Sequence, residues 1–389
     1  MIEYQRAGKL PRKPHSVLRD QEGKIIHEHC FTREGFDGPF SILYHKNPPQ
    51  NHGEGTPVAP LWASRKEESG GEAGPLRRRH FQTQLSDEKL TPTTGRVPLL
   101  FNTDLTVGSL RPQQDDEFYF SNGDGDDLFY CHEGGGILES WFGSLSFGPG
   151  DYVWIPRSVL HRIRLNEDSQ HWFWMECRSG LRIPKQYRTP LGQLRMDAPY
   201  THRDFRGPVL ADKIDAVPNN RVITKRRDRF TEHRYPHSPM DVIGWDGTVY
   251  PVVFPILNFA PRIGAYHLPP TVHGTFATGG SLICSFVPRM VDFGEGAIPC
   301  PYPHSNVDVD EVIFYCAGNF TSRKGIGAGS ISYHPAGVVH GPHPGAYEAS
   351  VGHARTEEMA VMIDTFEPLR TTESGQGLEA PEYDETWMT

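Results

Sequence analysis

Two stretches about 180 residues apart follow one plan. "DDLFYCHEGGG" leads into "FGPGDYVWIPRSVLH", and "DEVIFYCAGNF" leads into "IGAGSISYHPAGVVH". In each, an acidic residue stands seven positions before a glycine: Asp127 before Gly134, Glu311 before Gly318. In each, a strand begins at a glycine, passes a proline and stops at a histidine: Gly150, Pro156, His161 and Gly329, Pro335, His340. Internal duplication is the simplest source of such a match. Short apolar runs broken by turns suit a small double-sheet barrel, a jelly roll. The expected fold is all-β: two jelly-roll barrels with long loops and few short helices. Gly (40) and Pro (34) are abundant enough to supply the turns.

A chain of 389 residues is long for a single core and fits two domains. The pattern assigns 1–190 to an N-terminal barrel with an extension. Within it, 48–80 is polar, aperiodic and rich in Gly and Pro, and reads as a surface loop. Residues 191–250 read as a connecting region and 251–370 as the second barrel. The segment 371–389 carries five acidic residues and no basic ones, and reads as a loosely ordered arm.

Several functions are disfavoured. A net charge of −9 argues against nucleic acid, because phosphate binding needs a positive face. The one basic run, Arg77 to Arg79, reads as a solvated loop. No apolar run is long enough to span a bilayer, and "MIEYQRAGKLPRK" lacks the apolar core of a signal peptide. A cytoplasmic location follows as an expectation. The six cysteines show no CxxC spacing and read as reduced thiols.

The chemistry sits in the second copy. His304, Glu311 and His340 offer two imidazoles and one carboxylate. That set, with open positions beside it, is the ligand pattern of non-haem Fe(II) oxygenases. Zinc or nickel would accept the same donors. The first copy keeps Asp127 and His161, but Phe120 and Ser121 stand where a leading histidine would be. It is expected to hold no metal, with His161 a satisfied structural residue.

The spacing from His304 through Asn306, Glu311 and Gly318, then Gly329, Pro335, Gly337 and His340, resembles the two-part cupin signature. The chain thus resembles a bicupin. The common pattern has a second histidine where Asn306 stands, so no fourth protein ligand is expected. "SPMDVIGWDGTVYPVVFPI", "HLPPTVHGTF", "CSFVPR", "PYPHSNVDVDE" and "GSISYHPAGVVHGPHPG" are together similar to the homogentisate 1,2-dioxygenase family, in its shorter bacterial type. The likeness covers most of residues 1–50 and 100–370.

That resemblance implies an Fe(II)-dependent extradiol-type enzyme of aromatic catabolism. It would insert both atoms of O2 into homogentisate or a related 2,5-dihydroxyphenyl carboxylic acid. His304, Glu311 and His340 match the iron ligands, and His273 the acid/base. His334, Tyr302 and Arg323 match substrate contacts, the last two near the substrate carboxylate. Phe320 stands where the long type has a tyrosine that reaches the substrate. The lost hydroxyl leaves homogentisate less firmly implied than the family. The resemblance also implies a homo-oligomer. Two other readings stay open: a gentisate- or salicylate-type ring-cleaving dioxygenase, and a non-catalytic metal-binding cupin sensor.

Overall fold

The structure, a computed structural model, describes residues 3–67, 75–83, 89–210, 214–318, 320 and 325–388. It is mostly β. No α-helix among the described residues exceeds four residues, and none is long and apolar enough to cross a membrane.

Two seven-stranded sheets form the first unit. One runs from Gly143–Phe147 through His161–Leu165 and Tyr119–Asn122 to the Arg221–Arg226 and Arg229–Arg234 hairpin. The other centres on Asp126–Glu133, flanked by Asp151–Ile155 and His171–Cys177. A six-stranded sheet builds the second unit, in the order Gly274–Ala277, Ser281–Phe286, Met359–Thr365, Asp310–Ala317, Ile331–His334, Arg79–Phe81. A four-stranded sheet at the N-terminus joins Gln5–Gly8, His27–Thr32 and Phe40–His45 to Val242–Gly247.

The Asp310–Ala317 strand is covered on both faces. Val312, Phe314 and Cys316 enter the main core, whereas Ile313 and Tyr315 line a smaller cluster with Cys284, Met362 and Phe320. Glu311 falls on the second face because side chains alternate along a strand. The core face meets the first unit directly. Phe314 stacks on Phe173 at 4.9 Å and 16°, and Tyr130 meets it edge-on at 5.8 Å. Each such pair adds about 0.5–1.5 kcal/mol beyond its buried area.

The repeated stretches adopt the same pairing. Asp127 lies opposite Ile155 and Glu311 opposite His334, at matching places in the two patterns. His161 bridges to Phe120, and His340 to His304. The Nδ1 of His161 contacts the carbonyl of Val159 at 2.9 Å, and that of His340 the carbonyl of Val338 at 2.8 Å. The preceding acids also act alike. Asp126 accepts from the Arg157 and Leu181 amides and Trp154 Nε1. Asp310 accepts from the Ala336 and Leu369 amides and the Tyr333 hydroxyl.

The first unit contains a guanidinium beside its acid. Arg96 is fully buried, with Nη1 3.0 Å from Asp127 Oδ1. Its guanidinium carbon lies 5.0–5.1 Å from the ring centres of Trp62, Phe120, Phe129 and Trp174. Trp174 Nε1 and Asn122 Nδ2 also donate to Asp127 Oδ1.

Three stretches differ from expectation. Residues 48–80 are more than a surface loop: Thr56–Val58 pairs with Arg229–Arg234, Trp62 packs into the first core, and Arg79–Phe81 edges the second sheet. Residues 191–250 are more than a connector, since they supply three strands. The acidic tail is docked, and its partner is the basic run. Arg77 and Arg79 each lie 3.0 Å from Glu379, and Arg78 lies 3.1 Å from Asp384. Neither run is a solvated face. Each neutralises the other across about 300 residues of sequence. Arg370–Thr371 also pairs with Val97–Phe101, so the second half returns a strand to the first unit.

Removing one member of the buried Arg96–Asp127 pair strands the other. Asp127→Ala is expected to lower the unfolding free energy by about 3–5 kcal/mol in urea titrations. The double variant Arg96→Met, Asp127→Leu should lose less than Asp127→Ala alone. A loss as large or larger would show that the pair is not the source of the cost.

Candidate metal centre

Each donor is placed by a different backbone device. Glu311 is fixed by sheet register, next to His334 on one side and Asp364 on the other. His304 and His340 hold each other by two backbone hydrogen bonds, of 2.8 and 2.9 Å. Gly341 follows with φ +132°, and a Cβ there would lie 2.9 Å from the Cα of Pro303. A side chain at that position would push the His304 segment away. Gly337 has φ +81° and donates its amide to the Asn306 carbonyl at 2.7 Å. The backbone, not the side chain, of Asn306 therefore serves the turn.

One ligand atom from each of His304, Glu311 and His340 lies within 4.8 Å of the others. His304 Nε2 is 3.9 Å from Glu311 Oε2, and His340 Nε2 is 3.8 Å from Oε1. The Nδ1 atoms face carbonyls, that of Val338 for His340 and that of Tyr302, at 3.4 Å, for His304. A proton on each Nδ1 leaves each Nε2 with a lone pair toward the carboxylate. The site opens on one side: the His304 side chain is 28% exposed, against 0% for His340. This is the one group of its kind found among the described residues.

Residues 90–256 match the family described as "Homogentisate 1,2-dioxygenase N-terminal". The chain is 34% identical over 398 aligned positions to "Putative dioxygenase SSO1533" of Saccharolobus solfataricus, with both chains fully covered. The chain belongs to the homogentisate 1,2-dioxygenase family. Homogentisate 1,2-dioxygenase of Rhodopseudomonas palustris strain HaA2 is 28% identical over 285 residues, which are 69% of this chain and 62% of that protein. Among solved structures, a cupin 2 conserved barrel domain protein from Leptotrichia buccalis overlays at a TM-score of 0.34 with 9% identity, covering 74% of this chain and 92% of that one.

The other residues expected from the homogentisate 1,2-dioxygenase resemblance are distributed around the centre. His334 is fully buried, with Nδ1 2.8 Å from Glu311 Oε1 and its ring stacked on His340 at 5.0 Å. It contacts the Glu311 carboxylate from within the fold and does not face open space. Phe320 is buried edge-on to Tyr315 at 5.0 Å. Tyr302 is half exposed, and its ring meets His267 at 4.9 Å. Arg323 lies outside the described residues. His273 is buried and lines a cavity of about 520 Å³ that also includes His267 and Pro301. Burial, then the charge of Arg289, lowers its pKa to about 3.

Sequence reasoning missed Asp364 and Trp387. Asp364 pairs in register with Glu311, and burial together with that neighbour's charge raises its pKa to about 7. Its only sequence signal is position in an alternating strand. Trp387, in the tail, stacks on His343 at 4.0 Å, meets His334 edge-on at 6.0 Å and lies under Arg78 at 4.5 Å. No local pattern announces it.

His334→Ala removes the group that orients Glu311. Fe(II) affinity is expected to fall about 10- to 100-fold, read by anaerobic chelator competition. Unchanged affinity would show that the register alone fixes the carboxylate.

Proposed function

We propose that this chain is a ferrous-iron ring-cleaving dioxygenase acting on a hydroquinone that carries a carboxylate, homogentisate or a close relative. The observation that carries this is the three donor atoms gathered within 4.8 Å beside an open face, in a chain of this family. The donor set fits ferrous iron: two imidazole nitrogens and one carboxylate oxygen, with no fourth side-chain donor grouped with them among the described residues. Ferrous iron, when bound, would hold dioxygen and the ring side by side and relay electrons between them.

The residues of the chain do the rest. His304, Glu311 and His340 would hold the ion, with His334 keeping the carboxylate in place. His273 is neutral at physiological pH because its pKa is about 3. As a neutral imidazole it can take the proton of a substrate hydroxyl and return it as the ring opens, although burial and Arg289 keep it a weak base until that charge is offset. Phe286, edge-on to His273 at 5.2 Å, and Phe320 give that region an apolar wall. Such a wall excludes water and favours a flat ring. Tyr302 and Arg323 belong to the same reading as contacts near the carboxylate. Both oxygen atoms enter the product while the bond between the hydroxyl-bearing carbon and its substituted neighbour breaks. The electrons come from the ring itself, so no outside reductant is needed. Self-association into a homo-oligomer is part of the same reading.

Anaerobic loading with Fe(II), then oxygen uptake with homogentisate, gentisate, salicylate, hydroquinone and methylhydroquinone, tests this directly. Uptake is expected with homogentisate at one O2 per ring. Uptake with gentisate or salicylate alone would favour the second enzyme type, and uptake with none would favour a sensor. His273→Ala is expected to keep its iron and lose about 10²–10⁴-fold in turnover. Unchanged turnover would remove His273 from the chemistry.

A further inference from the structure

The cavity lined by His273 holds several charged groups, and most are already matched. Arg355 pairs with Glu357. Arg262 donates to the Asp197 carbonyl. His267 Nδ1 lies 3.6 Å from Asp292. Arg289 is the exception. It is half-buried in the cavity wall and forms no ion pair among the described residues. Asp292 and Glu358 attract it only from a distance. Among the described residues its side chain makes one hydrogen bond, from Nη1 to the Val287 carbonyl at 3.2 Å. A guanidinium has five N–H donors, so most of this fork is uncommitted. A partly desolvated cation with spare donors favours an incoming anion.

The position of Arg289 adds direction. Its guanidinium carbon lies 5.6 Å from the centre of the Phe286 ring, and that ring meets His273 at 5.2 Å. Arg289 and His273 thus flank one aromatic side chain and line one cavity. The backbone around Arg289 is held by a two-stranded clip, in which Arg289 pairs with Thr356 and Met290 with Arg355. Pro301 and His267 line the same cavity, and the His267 ring meets Tyr302, two residues before His304, at 4.9 Å.

We propose that Arg289 receives the carboxylate of the aromatic substrate and sets the preference of this enzyme for aryl acids over neutral hydroquinones. The planar fork matches a carboxylate in two places at once. With the acid on Arg289, a ring hydroxyl of the same molecule is directed toward His273 and the metal. This deepens the function proposed above and rests on it. It assigns the anchoring role to Arg289 in place of Arg323.

The test uses iron-loaded Arg289→Met, Arg289→Lys and Arg323→Met, each with homogentisate and with methylhydroquinone. For Arg289→Met, KM for homogentisate is expected to rise roughly 10- to 150-fold, the loss of a hydrogen bond to a charged group. KM for methylhydroquinone should stay within about twofold, and continued turnover of that ring shows that the variant is folded, its kcat being free to shift because Arg289 also bears on His273. Arg289→Lys should recover part of the loss. Equal changes for both substrates, or a loss confined to Arg323→Met, would overturn the proposal. Anaerobic calorimetry of homogentisate binding separates this failure from that of the function. If the unaltered enzyme consumes no oxygen with any ring, the function falls, and binding weakened by Arg289→Met still supports the anchor. Binding unchanged by Arg289→Met sinks the anchor whatever the turnover.

Discussion

Everything in the second unit depends on the register of one strand pair. Glu311 lies opposite His334 and Asp364, and a one-residue slip would carry it from the chamber into the core. Register is strongly specified here because both faces of the strand are buried for different purposes. Phe314 needs its stack on Phe173, and Asp310 needs the Ala336 and Leu369 amides. A slipped strand would lose both and bury a carboxylate among aromatic rings. The two backbone bonds between His304 and His340 then bring the imidazoles to a carboxylate that is already fixed.

The two units answer the same electrostatic demand in different ways. A buried carboxylate at the start of the central strand needs positive charge nearby. In the first unit Arg96 supplies it from within the chain, wrapped by four aromatic rings. Phe120 occupies the place that His304 holds in the second unit, so the donor set for a metal is broken where the arginine fills the space. The second unit has two imidazoles near 3.8–3.9 Å and leaves a position for an ion. One unit is thereby filled by an arginine and the other keeps a group of donors that could hold an ion, and the Phe173–Phe314 contact ties them together.

The grouping of His304, Glu311 and His340 was legible in the sequence because its spacing follows local geometry: one strand, one turn, one returning histidine. The β architecture was legible for the same reason. What was not legible depends on distant partners. Arg77 to Arg79 read as a solvated run and the tail as a free arm, because nothing local says that Glu379 and Asp384 come back to them. Thr56–Val58 and Arg79–Phe81 are three residues long, too short to show a period, and are held by backbone pairing to a neighbour's edge. His334 read as a pocket residue. Only the register shows that it faces the carboxylate.

The neutral state of His273 and the uncommitted fork of Arg289 are connected. After burial, the positive charge of Arg289 is the largest influence holding the imidazole unprotonated. An anion seated on Arg289 would offset that charge and make protonation of His273 easier, since a nearby negative charge favours the cationic form. Binding an aryl acid would then strengthen the base that its own hydroxyl meets, whereas a neutral ring would leave His273 a weak one. Discrimination between the two would appear in proton transfer as well as in affinity. The same two groups would decide both whether a ring is held and whether it is prepared to react.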